Sequence, residues 1–171
     1  MDTVRYCIHP PERIRMTATP PTDSTEPLLL NRFIPFRLSV LSNQVSRAVA
    51  RIYARRFRLK LPEWRVLAIL GVHHELTASQ ICEITAMDKV AISRAVTRLI
   101  AMGRVTSIID PADARRALLS LTAEGLDIYQ RIVPMARAVE ARLLEQLTES
   151  ERALLHDLFD RLGASARELD R

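Results

Sequence analysis

Apolar positions recur at helical spacing along most of the chain. Ile34, Leu38, Leu41, Val45, Ala48 and Ile52 step by alternating fours and threes, and Val49, Tyr53 and Phe57 widen the stripe. The pattern predicts a long first helix with Pro35 in its opening turn, where a missing N–H breaks no bond. A second helix is expected from Pro62 to about Val72, with Trp64, Leu67, Ala68 and Leu70 as its apolar content. Thr77 and Gln80 form a capping box for a short third helix through Ile84. Asp88 caps a fourth, which runs through Met102 and stops at Gly103. The four residues 85–88 between these two helices match the spacing of a helix-turn-helix.

Beyond Gly103 the period changes. Residues 105–109 and 117–121 read as short strands, joined by a polar loop over 110–116 rich in turn formers. Thr122 then caps a fifth helix carrying Leu126, Tyr129, Ile132, Val139 and Leu143, with a kink expected at Pro134. Thr148-Glu149-Ser150-Glu151 is a second capping box, opening a last helix with Leu154, Leu155, Leu158 and Leu162. The predicted fold is mainly α: a winged helix-turn-helix with a two-stranded wing and terminal helices. The stripes on the first, fifth and last helices are wider than a small winged domain needs. Their simplest use is mutual burial against a second copy of the chain. The chain therefore divides into a mobile N-terminal tail (1–30), a first dimerisation helix (31–60), a DNA-binding winged domain (61–121) and C-terminal dimerisation helices (122–171).

Composition narrows the class. A chain of 171 residues, 48% of them hydrophobic, suits one domain of ordinary size with a real core. Cys7 and Cys82 are too few for a disulfide framework or a four-thiolate zinc site. Cys82 is expected as a small buried thiol rather than a redox sensor, and Cys7 has no resolving partner nearby in sequence. No apolar run approaches the ~18 residues of a membrane span, and no secretory pattern opens the chain. The expectation is a soluble, cytoplasmic protein with no membrane partner. Residues 1–30 hold five of the nine prolines, and Met16 stands as an alternative start because nothing patterned precedes it.

Charge changes the picture once it is placed. The net +5 resolves into +8 over residues 31–60 and +4 over residues 89–116, with the remaining segments mildly acidic. On the fourth helix, Ile92, Ala95, Val96 and Leu99 point one way, as core. Val90, Arg94, Thr97, Arg98 and Ala101 point the other way, with Lys89 and Ser93 at the margin. That face has the chemistry of a major-groove helix. Arg binds guanine O6 and N7 with two bonds, a methyl-bearing side chain touches thymine, and hydroxyls and Lys hold phosphates. The wing tip is expected to carry Arg115 and Arg116 toward a neighbouring minor groove or backbone.

Enzymatic chemistry has no support. There is no Gly-rich phosphate loop, no nucleophile elbow, and no carboxylate pair with a suitable His. No catalytic residue and no cofactor is expected. His73-His74-Glu75 does not read as a metal site, because adjacent histidines on a helix diverge. The competing class is a winged-helix protein-interaction module without DNA binding, which would be expected to expose more large apolar residues on its fourth helix.

The run Asp88-Lys89-Val90-Ala91-Ile92-Ser93-Arg94-Ala95-Val96-Thr97-Arg98-Leu99, then Gly103, then Asp110-Pro111-Ala112-Asp113-Ala114-Arg115-Arg116, then Leu121-Thr122-Ala123-Glu124-Gly125, resembles the MarR family of bacterial transcriptional regulators. The resemblance covers about residues 31 to 165. It implies a homodimer on a pseudo-palindromic double-stranded DNA site, probed by Lys89, Val90, Ser93, Arg94, Thr97 and Arg98 from the helix and by Asp113, Arg115 and Arg116 from the wing. Arg94 would read bases, Arg115 would be the wing arginine, and Asp113 would orient it. It also implies a repressor released by a small aromatic acid, held in a pocket between the first, second and fifth helices. Ser39, Ser42, Arg47, Trp64 and Arg65 are the candidate ligand residues, an Arg beside an aromatic wall being suited to a carboxylate on a ring. Three positions depart from the family pattern: Ala86 replaces the usual turn Gly, Arg104 the usual Leu, and Ser107 a frequent Arg.

Overall fold

The structure is a computed structural model that describes residues 27–111 and 113–169. The Pro-rich stretch to residue 26, the start at Met16 and Cys7 lie outside the described residues. The described residues fall into two units, which divide between Arg37 and Leu38. In the first group, Leu29 closes a short turn, its carbonyl accepting from the amides of Arg32 and Phe33.

The element order is α1 (Ile34–Phe57), α2 (Leu61–His73), β1 (Leu76–Thr77), α3 (Ala78–Thr85), α4 (Lys89–Ala101), β2 (Val105–Asp110), β3 (Asp113–Leu121), α5 (Ala123–Leu143) and α6 (Glu149–Leu169). Local side-chain chemistry sets most of the boundaries. Thr77 Oγ1 accepts from the Gln80 amide, and Gln80 Oε1 accepts from the Thr77 amide. Asp88 Oδ1 accepts from the Ala91 amide at 2.8 Å. Thr122 Oγ1 accepts from the Gly125 amide and donates to the Gly103 carbonyl, so one hydroxyl ties the end of α4 to the start of α5. Thr148 and Glu151 exchange the same reciprocal pair ahead of α6, and those bonds hold the Glu151 carboxyl below its ordinary pKa. Gly103 ends α4 at φ 67, a conformation suited to glycine. Ala86 takes the left-handed conformation at φ 50 between α3 and α4 without being glycine. Pro134 lies inside α5, which continues through it.

Two features correct the sequence reading. The sheet has three strands, not two, because β1 joins the wing in the order β1-β3-β2. Leu76 pairs with Leu119 and Thr77 with Leu118. Also, β3 begins at Asp113, so Arg115 and Arg116 stand on a strand beside an irregularity in the ladder near Ile109/Asp110, not at the tip of a loop.

The core is concentrated between the end of α1 and the middle of α5. Tyr53, Leu67, Leu70, Ile81, Ile92, Leu99 and Ile132 are essentially fully buried. Each such apolar side chain contributes about 1.5–3 kcal/mol. By contrast α6 has no buried residue, and Leu154, Leu158, Phe159 and Leu162 are exposed. Among the described residues no helix is long and apolar enough to cross a membrane.

Candidate nucleic-acid interface

The fourth helix sorts its residues as its periodicity requires. Ile92, Ala95, Val96 and Leu99 are buried. Lys89, Val90, Ser93, Arg94, Thr97 and Arg98 are all exposed. Val90 is 57% exposed, which leaves its methyls open at the helix start. Among the described residues no carboxylate pairs with Arg94. Arg98 stands differently. Its Nε lies 3.2 Å from Glu63 Oε1, and that carboxylate is almost wholly buried. Glu63 Oε2 also accepts from the Lys60 amide at 2.7 Å. Glu63 thus caps α2 and tethers the fourth helix with one side chain. The sequence reading missed it, although a Glu three residues after Lys60 and just past a first-turn proline is the signal of a helix start.

On the wing, Asp113 divides its two oxygens. Oδ1 accepts from the Arg115 amide at 3.0 Å, and Oδ2 pairs with Arg116 Nε at 3.1 Å. The expected role is therefore corrected: Asp113 holds the backbone of Arg115 but the guanidinium of Arg116. The Arg115 side chain extends without an acidic partner among the described residues. Both arginines border a groove of about 530 Å³ of mixed polar and apolar lining, shared with Ser79, Gln80 and Glu83 of α3 and with Val96 and Ile100 of α4. The groove places the wing arginines alongside α3 and the Val96–Ile100 side of α4, while Lys89, Arg94 and Arg98 stand on the exposed face of that helix.

The expected ligand set does not converge. Trp64 is stacked between Tyr53, at 5.7 Å, and Tyr129, at 6.4 Å, partly buried against the core. Arg65 lies within electrostatic reach of Tyr53, and it opposes the burial that raises the phenol above its ordinary pKa of 10.0. Ser39 and Arg47 are exposed on α1. Only Ser42 borders a cavity, one of about 640 Å³ between α1, α5 and α6, not the expected α1–α2–α5 space. Its walls are mainly Leu38, Leu41, Leu143, Leu155 and Phe159, with Arg152 and His156 among its polar groups. The Arg152 guanidinium is already bonded to the carbonyls of Leu144 and Leu147. Cys82 is partly buried against the core.

Comparison with known proteins points one way. A model of the MarR family matches residues 59–116. The chain is 27% identical over 106 residues to the HTH-type transcriptional repressor IacR of Pseudomonas putida, covering 62% of this chain and 64% of that repressor. It thus spans just under two thirds of that relative. A crystal structure of a probable transcriptional regulator from Pseudomonas aeruginosa is 30% identical, with a TM-score of 0.63 over 78% of this chain and 98% of that one. Bordetella bronchiseptica BpsR, whose DNA binding is regulated by 6-hydroxynicotinic acid, is 20% identical with a TM-score of 0.72, covering 81% of this chain and 98% of that one. At that identity the likeness is one of fold.

Proposed function

This chain belongs to the MarR family of transcriptional regulators, and on that premise we propose that it is a homodimeric repressor that binds a pseudo-palindromic operator and releases it on binding a small aromatic acid. The observation that carries the DNA reading is the exposed face of α4 beside the wing. Arg94 is unpaired among the described residues, Val90 and Thr97 flank it along the helix, and the wing adds the exposed Arg115 and Arg116. In this reading Arg94 reads bases, Ser93, Thr97 and Lys89 hold phosphates, and Arg115 reaches the neighbouring groove or backbone. Arg98 has a second duty, because Glu63 fixes its Nε. The remaining nitrogens of its guanidinium serve the DNA.

The homodimer is supported by the apolar side chains that α6 leaves in the open and by the Leu-lined cavity beside them. Two copies would set their fourth helices one DNA turn apart, about 34–36 Å. The aromatic-acid effector is supported by BpsR, whose DNA binding is regulated by 6-hydroxynicotinic acid.

The test is selection of bound DNA from a random library by the purified chain, followed by a salt-dependent gel shift. A two-fold symmetric site should emerge, and Arg115→Ala should weaken binding evenly across sequences and flatten the salt slope by about one. A chain that selects nothing and binds no DNA at low salt would refute the DNA reading. Release of the selected site by none of a broad panel of hydroxylated aromatic acids would refute the effector.

A further inference from the structure

Arg104 is the anomaly of the fold. It follows Gly103 at the end of α4 and opens the approach to β2, a position where this chain departs from the Leu of the family pattern. Its side chain is 11% exposed, although arginine is rarely buried without a structural task. The guanidinium turns back across the molecule. Its NH1 group donates to the Phe57 carbonyl at 2.6 Å, a contact between residues 47 apart in sequence. Phe57 is the last residue of α1, so this donor satisfies a carbonyl that the helix itself leaves open. The Arg104 Nε lies 3.5 Å from Glu124 Oε1, in the first turn of α5. The Arg104 amide donates to the Leu99 carbonyl of α4, and its carbonyl accepts from the Thr122 amide. A Cβ at Gly125 would overlap that carbonyl, so the start of α5 closes on Arg104 with no room to slide.

One residue therefore joins the end of α1, the end of α4, the root of the wing and the start of α5. We propose that Arg104 is a positioning residue that fixes the angle between the dimer-forming helices and the α4–wing unit, and so sets which separation of operator half-sites the dimer accepts. The inference rests on the proposed dimer on a two-fold site. The two fourth helices must reach successive major grooves together, and the α1–α4 link in each subunit sets where they fall. A charged donor bonded to the Phe57 carbonyl and paired at 3.5 Å with the exposed Glu124 carboxylate restricts that link more than an apolar side chain of similar size. An apolar residue fills the space but leaves the Phe57 carbonyl without its donor.

The experiment takes the DNA selected by the wild-type chain and rebuilds it with one base pair added or removed at the centre of symmetry. Affinities of wild type, Arg104→Leu, Arg104→Lys and Glu124→Gln are measured on all three spacings, with thermal stability alongside. Wild type should prefer its own spacing by tenfold or more. Arg104→Leu should reduce that preference to threefold or less, and Arg104→Lys should recover part of it, because an ammonium still donates to the carbonyl. Glu124→Gln, which keeps shape and removes charge, should fall between. Equal loss of affinity on all three spacings, with the preference intact, overturns the proposal, since a purely structural role acts that way. Should Arg104→Leu fail to fold, the same ratio is read from Arg104→Lys and Glu124→Gln. Absence of binding by the wild-type chain would instead refute the DNA reading itself.

Discussion

The winged region and the last helix are built on opposite terms. Between Tyr53 and Ile132 the chain buries a set of large apolar side chains, Tyr53, Leu67, Leu70, Ile81, Ile92, Leu99 and Ile132 among them, against one another. Over Glu149–Leu169 it buries none, although Leu154, Leu158, Phe159 and Leu162 repeat at helical spacing. The first region has a core of its own. The second carries the pattern of a core without the partner to complete it. Amphipathicity therefore reports that a face is to be covered, and does not say by which chain.

The largest expected effect tests that difference directly. Leu158→Glu with Leu162→Glu should abolish self-association, read by sedimentation, and weaken operator binding about a hundredfold or more through loss of two-site attachment. The winged region should stay folded. Ile132→Ala should do the reverse, costing ~2–5 kcal/mol of stability by opening a cavity while leaving the association surface intact. If both pairs of measurements fell together, the two regions would not be independent. Arg94→Ala comes next, with a loss of ~1–3 kcal/mol in operator binding and relaxed preference at one base pair, checked by titrating single-site operator variants. Ala86→Gly should stabilise the winged region by ~0.5–1 kcal/mol in denaturant titration, since glycine tolerates the φ of 50 that alanine resists. Tyr53→Phe should have the smallest effect at neutral pH, because the buried hydroxyl has no hydrogen-bond partner among the described residues. Its signature is at high pH. The folded state holds this phenol protonated more strongly than the unfolded chain does, so its contribution is complete below pH 10.0 and falls away as the pH rises beyond it. The variant should lose less stability than wild type on alkaline titration.

How much of this was legible in the sequence depended on the range of the interaction. The caps at Thr77, Asp88, Thr122 and Thr148 were readable because each bonds an amide three residues away. The buried and exposed faces of α4 followed from its period alone. Strand β1 escaped, since two residues carry no period and pair with β3 some forty positions on. The wing arginines were misplaced onto a loop because Asp and Ala around them resemble turn residues, whereas pairing with β2 extends the strand. The partners of Glu63 and Arg104 were missed for a related reason. Each residue looks like an ordinary surface charge until a partner from a distant segment removes it from water. The surroundings of the candidate ligand residues were not legible, because polarity within a stripe does not show which helix will lie opposite. Trp64 was the clearest case, a candidate wall that the fold makes into packing.

That same ring has a practical consequence. Trp64 is the chain's single tryptophan, and it lies between a tyrosine from α1 and a tyrosine from α5. Its indole fluorescence therefore comes from one known address, the seam where three helices meet, and no second tryptophan blurs the signal. Any rearrangement that parts α1 or α5 from α2 unstacks a neighbour and alters the spectrum. The protein carries its own optical gauge of how its helices respond to DNA or to a small molecule, readable without a label.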